Sequence, residues 1–197
     1  MNEKKTIIYS CAKELFEEKG FKDTGVSEIM KRAGMAAGTF YNYYDSKDAL
    51  FMEIYNEENA KLKQKILNSL DPDGEPMGVM QEMIMKNQHG MEENPILREW
   101  YNRDIFQKLE QSFREANGLE HVDFLYDSFI EIVRDWQLKG KMRSDINAEM
   151  IMAIFSSLVN VELHKDEIGL QFFPKVLDYL AEFTMAGLMQ NVSDKKN

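Results

Sequence analysis

Residues 21–50 read Phe21-Lys22-Asp23-Thr24-Gly25-Val26-Ser27-Glu28-Ile29-Met30-Lys31-Arg32-Ala33-Gly34-Met35-Ala36-Ala37-Gly38-Thr39-Phe40-Tyr41-Asn42-Tyr43-Tyr44-Asp45-Ser46-Lys47-Asp48-Ala49-Leu50. Two short helical segments, Val26 to Ala33 and about Ala37 to Tyr44, flank Gly34-Met35-Ala36. Two helices at a steep angle, joined by a three- or four-residue turn containing glycine, make a helix-turn-helix. The second helix must lock one side into a bundle and lay the other in a major groove about 12 Å wide. Phe40 and Tyr44, spaced i and i+4, are placed to face inward. Thr39, Tyr41, Asn42 and Tyr43 then point elsewhere.

The flanks extend the same pattern. Upstream, Ile8, Cys11, Ala12, Leu15 and Phe16 form one helical stripe, which Gly20 stops. Downstream, Ser46 reads as an N-cap with Asp48 in the first turn. A long helix follows from Lys47 through Leu50, Ile54, Leu62, Ile66 and Leu70, and breaks in Asp71-Pro72-Asp73-Gly74-Glu75-Pro76. Met80, Met83, Ile84 and Asn87 share a face of the next helix. Asn94-Pro95 reads as an N-cap with proline at the first helical position, opening a helix with Leu97, Trp100 and Tyr101 and a continuation to Phe106, Leu109 and Phe113. Val122, Leu125, Phe129, Ile132, Val133 and Trp136 make a further stripe that stops near Gly140. Asn147 caps a helix of about 147–163, a last helix spans about 172–189, and the polar tail 193–197 is predicted to be disordered. No strand, repeat or low-complexity tract is legible, so the fold class is all-α.

Charge divides the chain. The net charge of −10 over 197 residues argues, as a whole, against a nucleic-acid binder. Residues 1–50, however, hold eight basic and eight acidic side chains, so residues 51–197 carry the entire excess. Nucleic acid is electrostatically plausible only at the N-terminal segment. A single cysteine excludes an internal disulfide and a Cys-rich zinc site. The longest apolar run, Met150 to Phe155, is six residues against the roughly 20 of a membrane span. The N-terminus lacks the apolar segment of a signal peptide, so a cytoplasmic protein without membrane contact is expected.

At this resolution the quoted stretch resembles the DNA-binding domain of tetracycline-repressor-type (TetR family) regulators. The matching marks are Phe21, Thr24, Val26, Ile29, Ala33-Gly34, Gly38, Tyr41, Tyr43-Tyr44, Ser46-Lys47 and Leu50. The resemblance implies an N-terminal three-helix DNA-binding bundle over residues 1–50. A C-terminal helical ligand-binding and dimerisation domain would follow over residues 51–197. It also assigns roles. Tyr41, Tyr43 and Lys47 match phosphate-contacting positions; Ala37, Thr39 and Asn42 match positions that reach base edges; Gly38 permits close approach of the backbone. Gly25 and Ala36 depart from the pattern, standing where hydroxyl-bearing caps are usual. Ser27 or backbone N–H groups would then serve the phosphate, and the missing cap at Ala36 costs ~1 kcal/mol of helix stability.

The same resemblance implies a homodimer through the last two helices, with Phe172, Val176, Leu180, Phe183 and Leu188 on the shared surface. Two recognition helices about 34–36 Å apart would read half-sites of a palindromic double-stranded DNA operator. The implied function is a ligand-responsive transcriptional repressor and not an enzyme. For an unidentified small-molecule effector, Met80, Met83, Ile84, Trp100, Tyr101, Phe129 and Trp136 offer adaptable apolar walls. No cofactor or metal is expected: His164 lies near Glu162, Asp166 and Glu167, but no second histidine stands at ligand spacing. The alternative is a helical protein-interaction module that uses the acidic C-terminal surface.

Overall fold

The computed structural model describes residues 3–102, 105, 123–163, 165–173 and 175–189. All regular elements among them are helical. The chain forms two compact units, one of Met1–Ser69 with Ile84–Asp123, the other of Leu70–Met83 with Phe124–Asn197.

In the first unit, α1 (Glu3–Lys19) buries Ile8, Ala12, Leu15 and Phe16, the stripe that marks it in the sequence. Gly20 ends it in the left-handed region at φ +83°, and its amide donates to the Phe16 carbonyl at 2.9 Å. The buried Thr24 hydroxyl donates to the Gly20 carbonyl at 2.8 Å and lies 3.3 Å from that of Leu15, so helix-end acceptors gain partners away from water. The short α2 (Val26–Arg32) ends in a Schellman turn around Gly34. There the Gly34 amide donates to Lys31 at 3.2 Å and the Met35 amide to Met30 at 2.9 Å. The next element, Ala37–Asn42, is a 3₁₀ helix, tighter than the α-helix its i, i+4 pair suggests. The long α3 (Lys47–Leu67) opens with the Ser46 hydroxyl accepting the Ala49 amide at 3.0 Å.

The unit continues with part of α4 (Pro76–Glu93), then α5 (Pro95–Arg98) and a 3₁₀ turn, Glu99–Tyr101. As expected, Asn94 caps α5, its side-chain oxygen accepting the amides of Ile96 at 2.9 Å and Leu97 at 3.3 Å. Helical geometry resumes at Ile105; the predicted continuation at Phe106, Leu109 and Phe113 lies outside the described residues. Phe16, Phe21 and Phe51 form a triangle with centroids 5.9, 5.1 and 4.8 Å apart. Burying each side chain contributes about 1.5–3 kcal/mol. The same core takes in Met91, Ile96, Leu97 and Ile105 from far downstream.

The second unit includes α6 (Asp123–Leu138), α7 (Ala148–Leu163), α8 (Lys165–Ile168), a 3₁₀ turn Leu170–Phe172 and α9 (Lys175–Met189). Gly140 closes α6 at φ +70°, its amide donating to Gln137 while that of Lys141 donates to Trp136. The Asn147 side chain accepts the Met150 amide at 2.8 Å, as the capping pattern predicts. The Trp136 indole is fully buried and donates to the Pro72 carbonyl at 3.1 Å; the Lys141 ammonium holds the Asp73 carbonyl at 2.6 Å. Together they pin the 71–76 turn. Leu188, expected on a dimer surface, is instead 4% exposed, and Arg143 donates its amide to the Leu188 carbonyl at 2.8 Å. The tail 193–197 lies outside the described residues.

Candidate nucleic-acid interface

The 3₁₀ helix 37–42 is held from behind by aromatic anchors. Phe40 is fully buried and Tyr44 5% exposed, with centroids 5.7 Å apart. Burial first, then the nearby Glu53 carboxylate, pushes the Tyr44 hydroxyl far above its ordinary range, so it stays a neutral donor to Glu53. No side chain caps the 3₁₀ helix at Ala36 or α2 at Gly25, in line with both departures noted in the sequence.

With Phe40 and Tyr44 inward, Ala37, Gly38, Tyr41 and Asn42 are exposed along one ridge, Tyr41 at 64%. Ser27 is exposed in the first turn of α2, while Thr39 and Tyr43 are half-buried. The ridge thus offers phenol, amide and hydroxyl groups together with a small-residue strip where backbone can approach a partner. Such groups suit base edges and phosphate oxygens.

Lys47 stands differently from its expected placement. Its ammonium donates to the carbonyls of Phe21 and Thr24, both at 2.7 Å, and lies 4.1 Å from the Phe21 ring centroid. It braces the turn between α1 and α2 from the start of α3. Other cations of this unit are also paired internally. Lys5 meets Glu53 at 3.0 Å, Lys13 meets Glu58 at 2.8 Å, and Lys19 meets Glu28. Arg32 grips Glu18 through two parallel bonds of 2.7 and 2.8 Å, which raises the guanidinium affinity for its proton and lowers that of the carboxylate.

The seven residues named for an effector fall in two groups. Ile84, Trp100 and Tyr101 belong to the first unit; Met80, Met83, Phe129 and Trp136 to the second. Ile84 and Tyr101 are exposed, Met83 and Trp100 half-buried, and Met80, Phe129 and Trp136 buried. A cleft of about 440 Å³ in the first unit is lined by Phe16, Gly20, Arg98, Glu99 and Asn102 among others, and Tyr101 alone of the seven lines it. Among the described residues no group of histidine, cysteine and carboxylate side chains is arranged to hold a metal, and no helix is long and apolar enough to cross a membrane. His164 lies outside the described residues.

Two carboxylates hold this unit together. Glu58 of α3 joins Lys13 of α1 to Asn94 before α5, and Glu99 accepts the Phe21 amide at 3.0 Å. Each also bonds a residue three positions on, Lys61 for Glu58 and Asn102 for Glu99, but no local signal points to the distant partners Lys13, Asn94 and Phe21.

The pattern described as bacterial regulatory proteins, tetR family, matches residues 8–54, a span that begins in α1 and ends in α3. The HTH-type transcriptional regulator YuxN of Bacillus subtilis is 40% identical over 68 residues, 34% of this chain and 23% of that protein. QacR of Staphylococcus aureus, also an HTH-type transcriptional regulator, is 36% identical over 61 residues, 31% of this chain and 32% of QacR. The chain therefore spans only about a quarter to a third of the length of these curated relatives. Over nearly the whole chain the fold is similar to that of Thermus thermophilus FadR, a TetR family transcriptional repressor solved with lauroyl-CoA. There the TM-score is 0.60 at 23% identity, covering 94% of this chain and 95% of that one. The helix-turn-helix with its exposed ridge and the matched span agree: residues 8–54 are similar to the bacterial regulatory proteins of the tetR family, and the whole chain shares the all-helical fold of FadR.

Proposed function

We propose that this protein is a transcriptional regulator of the TetR family, a ligand-responsive repressor that binds a palindromic operator as a homodimer. The observation that carries the reading is the ridge of Ala37, Gly38, Tyr41 and Asn42, exposed while Phe40 and Tyr44 anchor its back. Asn42 and Thr39 would read base edges, while Tyr41, Tyr43 and Ser27 would bond phosphates. Lys47 would act by holding the α1–α2 turn, with its charge adding to the local potential. On this reading residues 1–50 carry DNA recognition, and residues 51–197 carry dimerisation and effector binding.

Dimerisation is supported by exposed large apolar side chains on α7 and α9. Met150 is 56%, Tyr179 55% and Phe183 66% exposed, and the last two rings stack at 6.0 Å. Exposed large apolar side chains such as the stacked Tyr179 and Phe183 fit an interaction surface. A small-molecule effector is supported by the shared fold of Thermus thermophilus FadR, which was solved in complex with lauroyl-CoA. An effector acts only if it binds the non-DNA conformation more tightly; equal affinity for both shifts nothing.

The test is enrichment of random-sequence duplex DNA by the purified protein at low salt, followed by the Thr39→Ala, Asn42→Ala double variant. The wild type should enrich a two-fold symmetric sequence, and the variant should lose it while keeping its fold and oligomeric state. A folded dimer that enriches no sequence refutes the reading.

A further inference from the structure

The carboxylate of Glu99 lies at the first position of the 3₁₀ turn 99–101, yet it reaches a residue 78 positions upstream. One oxygen, Oε1, accepts the Phe21 amide at 3.0 Å, and the other, Oε2, accepts from the Asn102 side chain at 3.0 Å. With both oxygens bonded, the carboxylate has one orientation. Gly20 leaves the room it needs: a Cβ there would stand 2.8 Å from Oε1. A glycine that the sequence marks only as a helix stop thus also admits a distant side chain.

The next residue grips the same place by another route. The Trp100 ring stacks on Tyr55 at 6.0 Å, Tyr55 lies 6.3 Å from Phe51, and Phe51 lies 4.8 Å from Phe21. On the far side, the Phe21 carbonyl accepts from Lys47. Phe21 is therefore held by its amide, its carbonyl and its ring. The connection from α1 to α2 is short, so fixing Phe21 fixes where α2 begins. Arg32, paired with Glu18, fixes where α2 ends. The Schellman turn at Gly34 then carries that placement to the 3₁₀ helix 37–42.

We propose that Glu99 and Trp100 are positioning residues for DNA recognition, setting through Phe21 the angle at which the ridge is presented. The proposal rests on the DNA-binding reading above. Neither residue touches the partner; both act on the population of heads held at the competent angle. Affinity falls in proportion to that population.

The experiment compares full-length wild type with Glu99→Ala, Glu99→Asp and Glu99→Gln. Amide hydrogen exchange is followed across residues 20–25. Binding is measured to the duplex enriched by wild type and to versions with one base pair added or removed between half-sites. Gln keeps an oxygen for the Phe21 amide, whereas Asp keeps the charge but is one methylene too short. The expected result is faster exchange at 20–25 in Ala and Asp, with operator affinity down about tenfold, the scale of a lost charge-assisted hydrogen bond. Discrimination among half-site spacings should flatten in both, and Gln should restore affinity and discrimination to within about threefold of wild type. If Ala loosens α1 and α3 as a whole, Asp decides the question. Wild-type affinity and spacing preference in Asp overturn the proposal, and so does unchanged exchange at 20–25. If wild type enriches no duplex, the DNA-binding reading fails and the positioning role falls with it; the exchange data show whether Glu99 holds the turn regardless.

Discussion

Replacing Glu58 with glutamine should be far more damaging than one change of charge on an acidic protein suggests. The side chain is 11% exposed and accepts from Lys13 at 2.8 Å, Lys61 at 3.0 Å and Asn94 at 3.0 Å. Lys61 loses little, because Glu57 already stands 2.6 Å away and the site is open to water. Lys13 keeps only Glu17 at 3.7 Å, and the Asn94 amide that caps α5 faces another amide group. One lost charge-assisted bond is about 1.5–3 kcal/mol, and a loosened cap adds up to ~1 kcal/mol. Together they give about 2–4 kcal/mol, or a melting temperature lower by about 5–12 °C. Burial by itself would raise the Glu58 proton affinity, but the bonds from Lys13, Lys61 and Asn94 outweigh it and hold the carboxyl below its usual range. A depressed folded value means that the stabilisation is complete above the unfolded value, near 4.3 for glutamate, and is lost as pH falls through the folded one. Calorimetry at pH 7, 5.5 and 3.5 should therefore show the full gap between wild type and Glu58→Gln at the first two and a smaller gap at the last. Melting within 1 °C of wild type at pH 7, or a gap undiminished at pH 3.5, would refute the account.

Other outcomes follow from the same structure. Lys47→Met removes both 2.7 Å bonds to the Phe21 and Thr24 carbonyls and should cost about 2 kcal/mol in urea denaturation. Its log–log salt slope for DNA should change by less than the ~0.9 of a lost phosphate contact; a full loss of slope with unchanged stability would make Lys47 a phosphate ligand instead. Gly34→Ala meets no atom within 4 Å, so its cost is that of a left-handed residue at φ +68°, about 1–2 kcal/mol, and equal stability of the two proteins would contradict the turn. Phe183→Glu, at a 66% exposed position, should keep its helical content yet yield monomer in sedimentation; a persistent dimer would exclude this surface.

Local chemistry accounts for what was legible beforehand. Ser46, Asn94-Pro95 and Asn147 cap the helices they precede, and Gly20, Gly34 and Gly140 stop helices with positive φ, because each signal acts within a turn of itself. Phe40 and Tyr44 both face inward as expected, although the helix carrying Phe40 is 3₁₀ and Tyr44 lies just beyond it. What escaped is set by contacts over long separations. Nothing near Glu99 or Glu58 announces a partner 78 or 36 residues away. The Lys47 ammonium has a role that its position at a helix start conceals, since an exposed lysine there would suit phosphate equally well. Trp136 sits on an apolar stripe whether it lines a pocket or, as found, fills the core with its indole bonded to Pro72. Leu188 fails as a dimer contact for a similar reason: periodicity places it on a face but does not say which neighbour covers that face.

The 3₁₀ helix 37–42 has a further consequence. Its hold on the protein passes through Phe40, Tyr44 and the Gly34 turn, while Ala37, Gly38, Tyr41 and Asn42 contribute almost nothing to the core. Surface substitutions of this kind usually change stability by no more than ~0.5 kcal/mol. The exposed residues of this helix can therefore vary while those that build the head stay fixed. On the proposed reading, a lineage carrying this fold could drift from one operator to another without passing through an unfolded ancestor, and a library randomised at those four positions should remain almost entirely folded.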